Sequence, residues 1–305
     1  MALSLLLLQL VVGISSVEEE VDVAQFSGED TANAQLAGGL GEIGVARPGA
    51  GDDNLFFLQA LSGEDVALGG IDTQQAELFG FAKQMANFQY VVGDKVSGIC
   101  AVIDGAWDPE GIRSLVESGE SPPCRIKRFI ATHYHWDHIG RASAGRGAPL
   151  VPGISAWLAM NVSVSVPRIG LDAAAKQCAL SPGALDPLDD GDEISLGSIR
   201  LKFFATPGHS KDSMVVLVTD GHGVQRGLIT GDTVFPGSCG RIDLPDSDPM
   251  AMYDSLQRVV SAFNDDLVVY PGHGYSGRTS TIGAERTHGL LRPMTKAQWR
   301  ANMVP

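Results

Sequence analysis

Basic residues are scarce in this chain. Lys and Arg number 22 against 36 Asp and Glu, the net charge is −14, and the first basic residue is Arg47. A general grip on nucleic acid needs clustered Lys and Arg, so that class of partner is excluded. Anionic small molecules remain open, because bound divalent cations reverse the local field of a pocket. Cysteine is also sparse. Cys100, Cys124, Cys178 and Cys239 are widely spaced and form no C-x-x-C pair. That is too few, and too scattered, to read as a disulfide framework in a chain of 305 residues. Cys100 sits inside the apolar run Ile99–Ile103 and reads as core.

Long apolar runs are missing too. Leu3 to Ile14 is apolar but shorter than the ~20 residues that span a bilayer, so no stable membrane span is expected. It has the length of a signal-peptide core, with Gly13 and Ser15 as small residues before a cut, but no positive region precedes it. Residues 1–16 therefore read as a signal or targeting segment, which points to secretory or organelle entry, with the cytoplasm as the alternative. Asn161-Val162-Ser163 is a glycosylation sequon and leans the same way. Residues 17–70 are acidic, then glycine-rich, and read as a poorly ordered extension. Gly39-Leu40-Gly41-Glu42-Ile43-Gly44 matches G-x-G-x-x-G, but no strand precedes it and no helical pattern follows, so it is not a dinucleotide site.

What is present is an unusual density of metal-ligating side chains. His133-Tyr134-His135-Trp136-Asp137-His138 holds four in the pattern H-x-H-x-D-H. In an extended segment, His133 and His135 point to one side. Asp137 and His138 are adjacent and are expected to diverge, which suits a second, neighbouring cation. Imidazole with carboxylate suits zinc, iron or manganese. Further candidates lie just past apolar runs, beside a glycine: His209 after Ile199–Ala205, Asp232 after Gly227–Ile229, and His273 after Leu267–Tyr270. Only His222 and His288 are left unassigned.

The intervening pattern is that of a layered α/β protein. Phe88–Val92 and Ile99–Ile103 read as a strand pair, and Ile126–Ala131 as a short buried strand delivering His133. Ile194–Leu196 with Ile199–Phe204 reads as a hairpin, and Met214–Val218 and Gly227–Thr230 as strands. Pro152–Met160 reads as a helix. Asp108-Pro109 and Asp248-Pro249 mark two more helix starts. In the second, Met252, Leu256, Val259, Val260 and Phe263 share one face and read as core.

Taken in order, these motifs resemble the metallo-β-lactamase superfamily over about residues 71–292, leaving 293–305 as a tail. The resemblance implies a four-layer αββα sandwich with metals at one edge of the two sheets. It implies a first metal on His133, His135 and His209, a second on Asp137, His138 and His273, and Asp232 bridging them. Two divalent cations are expected, zinc above all, with iron or manganese as alternatives. Asp137 would also orient the attacking hydroxide.

Gly231-Asp232-Thr233-Val234-Phe235, Gly237-Ser238-Cys239-Gly240-Arg241 and Tyr270-Pro271-Gly272-His273-Gly274 resemble the glyoxalase II group, which hydrolyses S-acylglutathione thioesters. The resemblance places Arg241 near a glutathione site; Tyr275 is a second candidate for substrate contact. Only 32 residues follow His273, too few for the long helical carboxyl-terminal domain of full-length glyoxalase II. The ending looks more like the group's short members, which include persulfide dioxygenases that use a single iron on the residues matching His133, His209 and Asp232. The expected function is thus a thioester hydrolase acting on a small-molecule thiol conjugate, alone or as a homo-oligomer. The alternatives are a mononuclear-iron persulfide dioxygenase and, after it, a catalytically silent binding module. Cys239 is expected on a loop near the metals, with no base beside it in sequence.

Overall fold

A computed structural model of the protein describes residues 54–70, 72–118, 123–142 and 151–303, all within one compact unit, Glu42–Pro305. The targeting segment 1–16, the extension up to residue 53 and the glycine motif at 39–44 lie outside the described residues. Two six-stranded mixed sheets form the centre. The first runs β1 (Leu55–Leu61), β2 (Phe88–Asp94), β3 (Ile99–Ile103), β4 (Arg125–Ile130), β5 (Ser163–Pro167), β6 (Asp186–Leu188). The second runs β12 (Ser280–Thr281), β11 (Val268–Pro271), β10 (Gln225–Gly231), β9 (Met214–Thr219), β8 (Ile199–Ala205), β7 (Glu193–Leu196).

The layering follows from the period-two alternation of strand side chains. In β2, Tyr90 and Val92 face the second sheet while Val91 faces outward; in β9, Val216 and Val218 face the first sheet while Val215 and Leu217 face outward. Both sheets are thus apolar on two faces, and helices cover the outer ones. On the first sheet lie α1 (Thr73–Met85), α2 (Pro109–Glu117), the short α3 (Trp136–Ile139), α4 (Ile154–Ala159) and α5 (Leu171–Gln177). On the second lie α6 (Pro249–Ala262), α7 (Ile282–Thr287) and α8 (Lys296–Met303). This is the expected four-layer αββα sandwich.

The helix starts form as their sequences dictate. Asp108 and Asp248 accept hydrogen bonds from the first free backbone N–H groups of α2 and α6, and Pro109 and Pro249 occupy the first helical position. Met252, Leu256 and Val259 are buried against the second sheet. No helix among the described residues is long and apolar enough to cross a membrane.

Three expectations need correction. Residues 55–61 do not belong to a poorly ordered extension: they pair with β2 along its whole length as the edge strand of the first sheet. The stretch mixes apolar residues with Gln59, and its partner lies some thirty residues on, so no local signal marks it. The supposed tail forms α8, whose buried Trp299 packs beside α6 and donates from its indole to the Pro249 carbonyl at 2.8 Å. Cys100 is core as expected, yet it is disulfide-bonded to Cys124, 24 residues on. Parallel pairing of β3 with β4 brings the two cysteines together.

Candidate metal centre

The donor-bearing segments leave the carboxyl ends of strands from both sheets, and the two rims are tied together there. Met214 N–H donates to the Thr132 carbonyl at 2.9 Å and Phe88 N–H to the Gly272 carbonyl at 2.8 Å, while within the second sheet Gly272 N–H donates to the Gly231 carbonyl at 2.8 Å. Gly231 sits at φ +47°, and a Cβ there would stand 2.5 Å from Thr132 Oγ1. A side chain at Gly272 would stand 2.4 Å from Asp232 Oδ1. Both positions require glycine for close approach of the loops.

Six of the seven expected donors are buried, and His135 is partly so. They converge in three groups: His133, His135 and His209; His133, His138 and Asp232; Asp137, His138 and His273. Within each group the ligand atoms lie within 4.8 Å of one another. Asp232 faces both ends, with Oδ2 at 3.3 Å from His209 Nε2 and 3.4 Å from His273 Nε2, and Oδ1 at 3.5 Å from His138 Nε2. Asp137 and His138 do not diverge as expected. Both sit on the single turn of α3, and Asp137 Oδ2 lies 3.4 Å from His138 Nε2.

The outward nitrogens of His133, His138, His209 and His273 each meet an oxygen, which fixes the ring and leaves the inward nitrogen's lone pair for a cation. His138 Nδ1 donates to Asp104 Oδ2 at 3.0 Å, His209 Nδ1 to the Arg241 carbonyl at 2.8 Å, and His273 Nδ1 to the Met85 carbonyl at 2.6 Å. His133 Nδ1 lies 3.0 Å from Thr132 Oγ1, whose hydroxyl donates to Asp104 at 2.7 Å. His135 Nε2 lies 3.7 Å from Asp246 Oδ1. Asn87 donates to Asp137 Oδ2 at 3.0 Å and accepts from the Trp107 indole at 3.0 Å.

The residues fit divalent cations on this structure's own terms. His133 Nε2 and Asp232 Oδ1 are buried without any hydrogen-bond partner among the described residues, a costly arrangement unless an ion completes it. The electrostatics agree. Burial raises the pKa of Asp137 and Asp232, but His138 and His273 outweigh it and hold both carboxyls well below the usual range. Burial likewise opposes charge on His138 and His273, yet Asp137 and Asp232 raise both well above 6.5. The potential that draws protons onto those two rings is the potential that draws a dication. His133 is kept neutral by burial and its histidine neighbours, and burial also lowers His209.

Arg241 and Tyr275 are placed differently from one another. Tyr275 is exposed at the rim, its ring stacked on His273 with centroids 4.7 Å apart. Arg241 reaches the site through its backbone carbonyl, while its guanidinium binds Asp243 through two hydrogen bonds of 2.9 Å. Trp136 packs away from the donors, stacked on Phe81 and edge-on to Trp107. Cys239 lies on the site loop, but burial pushes its thiol up to about 12, so it carries no thiolate at neutral pH. His222 and His288 are exposed and outside the cluster.

Sequence reasoning missed Asp104, Asn87 and Asp246. Asp104 had a legible signal: it follows the apolar run Ile99–Ile103 and precedes Gly105, as Asp232 follows its own run. Asn87 and Asp246 had none.

Two apolar-cored sheets carrying histidine and carboxylate donors on their shared rim define a metal-binding αββα sandwich. The chain belongs to the metallo-beta-lactamase superfamily, whose profile matches residues 85–273. It is 30% identical to a probable polyketide biosynthesis zinc-dependent hydrolase, PksB, of Bacillus subtilis, over 62% of this chain and 73% of that one. It is 28% identical to a hydroxyacylglutathione hydrolase of Dictyostelium discoideum, over 62% of this chain and 63% of that protein's length. It is also 28% identical to the human mitochondrial persulfide dioxygenase ETHE1, over 68% of this chain and 72% of the relative. These relatives place it in the glyoxalase II-like group.

Proposed function

We propose that the chain is a metallo-hydrolase that cleaves the thioester of a small thiol conjugate. The carrying observation is the convergence of seven donors into groups that share His133 and His138, with two buried donor atoms that have no hydrogen-bond partner among the described residues. A bound pair of divalent cations supplies an acidified water and a Lewis acid for the carbonyl oxygen. Asp137, aimed by Asn87 and ionised, orients the attacking water. Asp232 holds the two ends of the cluster in register.

The leaving group argues for a thioester. Asp137 and Asp232 are held ionised, and the Cys239 thiol sits too high to give up a proton readily. None of the three is a good general acid. A thiolate, of pKa about 8.5, leaves without one, whereas an alkoxide or amide ion does not. Tyr275 offers an exposed ring to the thiol portion. Arg241 would contact an anionic group by exchanging Asp243 for it.

A dioxygenase remains the second reading, favoured by the ETHE1 match; the resemblance would put its single iron on His133, His209 and Asp232, two histidines and one carboxylate of the kind that suits iron(II). Elemental analysis of native protein, with thioester and persulfide assays, decides between them. Thioester turnover with zinc bound, abolished in His135→Ala and Asp232→Ala, is the expected result. Wild-type turnover in either variant, or one iron per chain with oxygen uptake on glutathione persulfide, rejects the hydrolase.

A further inference from the structure

The donors at the two ends of the cluster are not equally charged. His138 is backed by Asp104 at 3.0 Å and shares its group with Asp137. The group His133, His135 and His209 contains no carboxylate of its own. His135 is also its most exposed member, and among the described residues it is the only one of the five histidines whose outward nitrogen has no hydrogen-bonded oxygen.

A carboxylate nevertheless waits at that nitrogen. Asp246 Oδ1 lies 3.7 Å from His135 Nε2, and its other oxygen accepts the Tyr134 hydroxyl at 2.7 Å. Both partners are held firmly. Gln177, the last residue of α5, donates to the Tyr134 carbonyl at 2.9 Å. The segment carrying Asp246 is fastened to the loop of His209: Ser247 Oγ donates to the His209 carbonyl at 2.6 Å and Asp248 N–H to the Gly208 carbonyl at 2.8 Å. His135 Nδ1 is thereby aimed inward, 2.9 Å from His209 Nε2.

We infer that Asp246, anchored by Tyr134, is a positioning residue that keeps His135 in the donor set and so secures the cation of the His133, His135 and His209 group. With His135 swung out, its group keeps only the imidazoles of His133 and His209. With His135 held in, the group offers three imidazoles, a set suited to zinc. A carboxylate behind a ligating imidazole fixes its orientation and raises its basicity, and losing it costs tenfold to a hundredfold in metal affinity. The inference deepens the hydrolase reading and rests on it for the choice of metal.

The test is zinc binding to the full chain by equilibrium dialysis and elemental analysis. It is run on wild type, Asp246→Asn, Tyr134→Phe and His135→Ala, with the visible spectrum of the cobalt(II)-substituted protein as a second readout. Wild type is expected to bind two zinc ions. Asp246→Asn is expected to weaken one of them at least tenfold, with Tyr134→Phe in the same direction and smaller, both at unchanged melting temperature of the metal-free protein. The cobalt spectra of Asp246→Asn should move toward those of His135→Ala, and Asp246→Asn should add nothing in the His135→Ala background. Two zinc ions bound with wild-type affinity and an unaltered cobalt spectrum in Asp246→Asn overturn the inference. So does an equal weakening of both ions. A wild type that binds two zinc ions with this sensitivity but hydrolyses no thioester sinks the hydrolase reading and leaves the role of Asp246 standing.

Discussion

Gly272→Ala isolates the contribution of loop approach to the centre. The backbone there is within reach of any residue, since its φ lies outside the left-handed range. The added methyl instead meets Asp232 Oδ1 at 2.4 Å and the Gly231 carbonyl carbon at 2.9 Å, where ordinary contact begins at 3.4 Å. The carboxylate common to both ends of the cluster must therefore move by about 1 Å, the difference between 2.4 and 3.4 Å. A displacement of that size at a catalytic centre costs about a hundredfold in rate, or roughly 2.7 kcal/mol of barrier. Overpacking removes about 1–3 kcal/mol of stability. The assay is kcat/KM on a thioester with zinc content and thermal unfolding measured on the same preparation. Gly183→Ala serves as control, because its Cβ would meet only Ser181 Oγ, at 3.8 Å. A Gly272→Ala protein with full zinc content and kcat/KM within threefold of wild type would falsify the claim that this glycine exists to admit Asp232.

Other consequences can be measured. Cys100→Ser, or reduction of the disulfide, should lower stability by about 3 kcal/mol for a loop of this length, and a denaturation midpoint indifferent to reductant would remove the cross-link from the account. Asp212 is buried and its Oδ2 has no hydrogen-bond partner among the described residues; burial raises its pKa to about 6. A folded-state acid with a raised pKa binds its proton more tightly than the unfolded chain does, so stability present below about pH 4 is lost as pH rises through about 6. Asp212→Asn should therefore gain about 1–3 kcal/mol at pH 7.5 and little at pH 4, and an equal change at both would show that the carboxyl charge is irrelevant. Arg241→Ala should raise KM for anionic thiol conjugates and leave kcat alone; an unchanged KM would confine this residue's role to its carbonyl on His209.

Much of the centre could be read in one dimension because its parts obey local rules. A donor that follows an apolar run and neighbours a glycine marks the carboxyl end of a buried strand, and three such signals located His209, Asp232 and His273, while the H-x-H-x-D-H pattern located His133. The same rule applied to Ile103-Asp104-Gly105 would have found the carboxylate behind His138. Proline after aspartate announced α2 and α6 for equally local reasons. β1 offered no such mark, since an edge strand is specified by the partner it pairs with.

Donor identity, strand alternation and helix starts were therefore determined by the sequence itself, since each depends on side chains a few residues apart. Tertiary structure alone decided what stands behind the donors: Asn87 on Asp137, Asp246 beside His135, the Arg241 carbonyl on His209 and the Met85 carbonyl on His273. It also decided that Cys100 meets Cys124. Those pairs lie between 24 and 188 residues apart, and a hydrogen bond or disulfide constrains only the distance between two atoms, leaving no periodic trace in the chain that joins them.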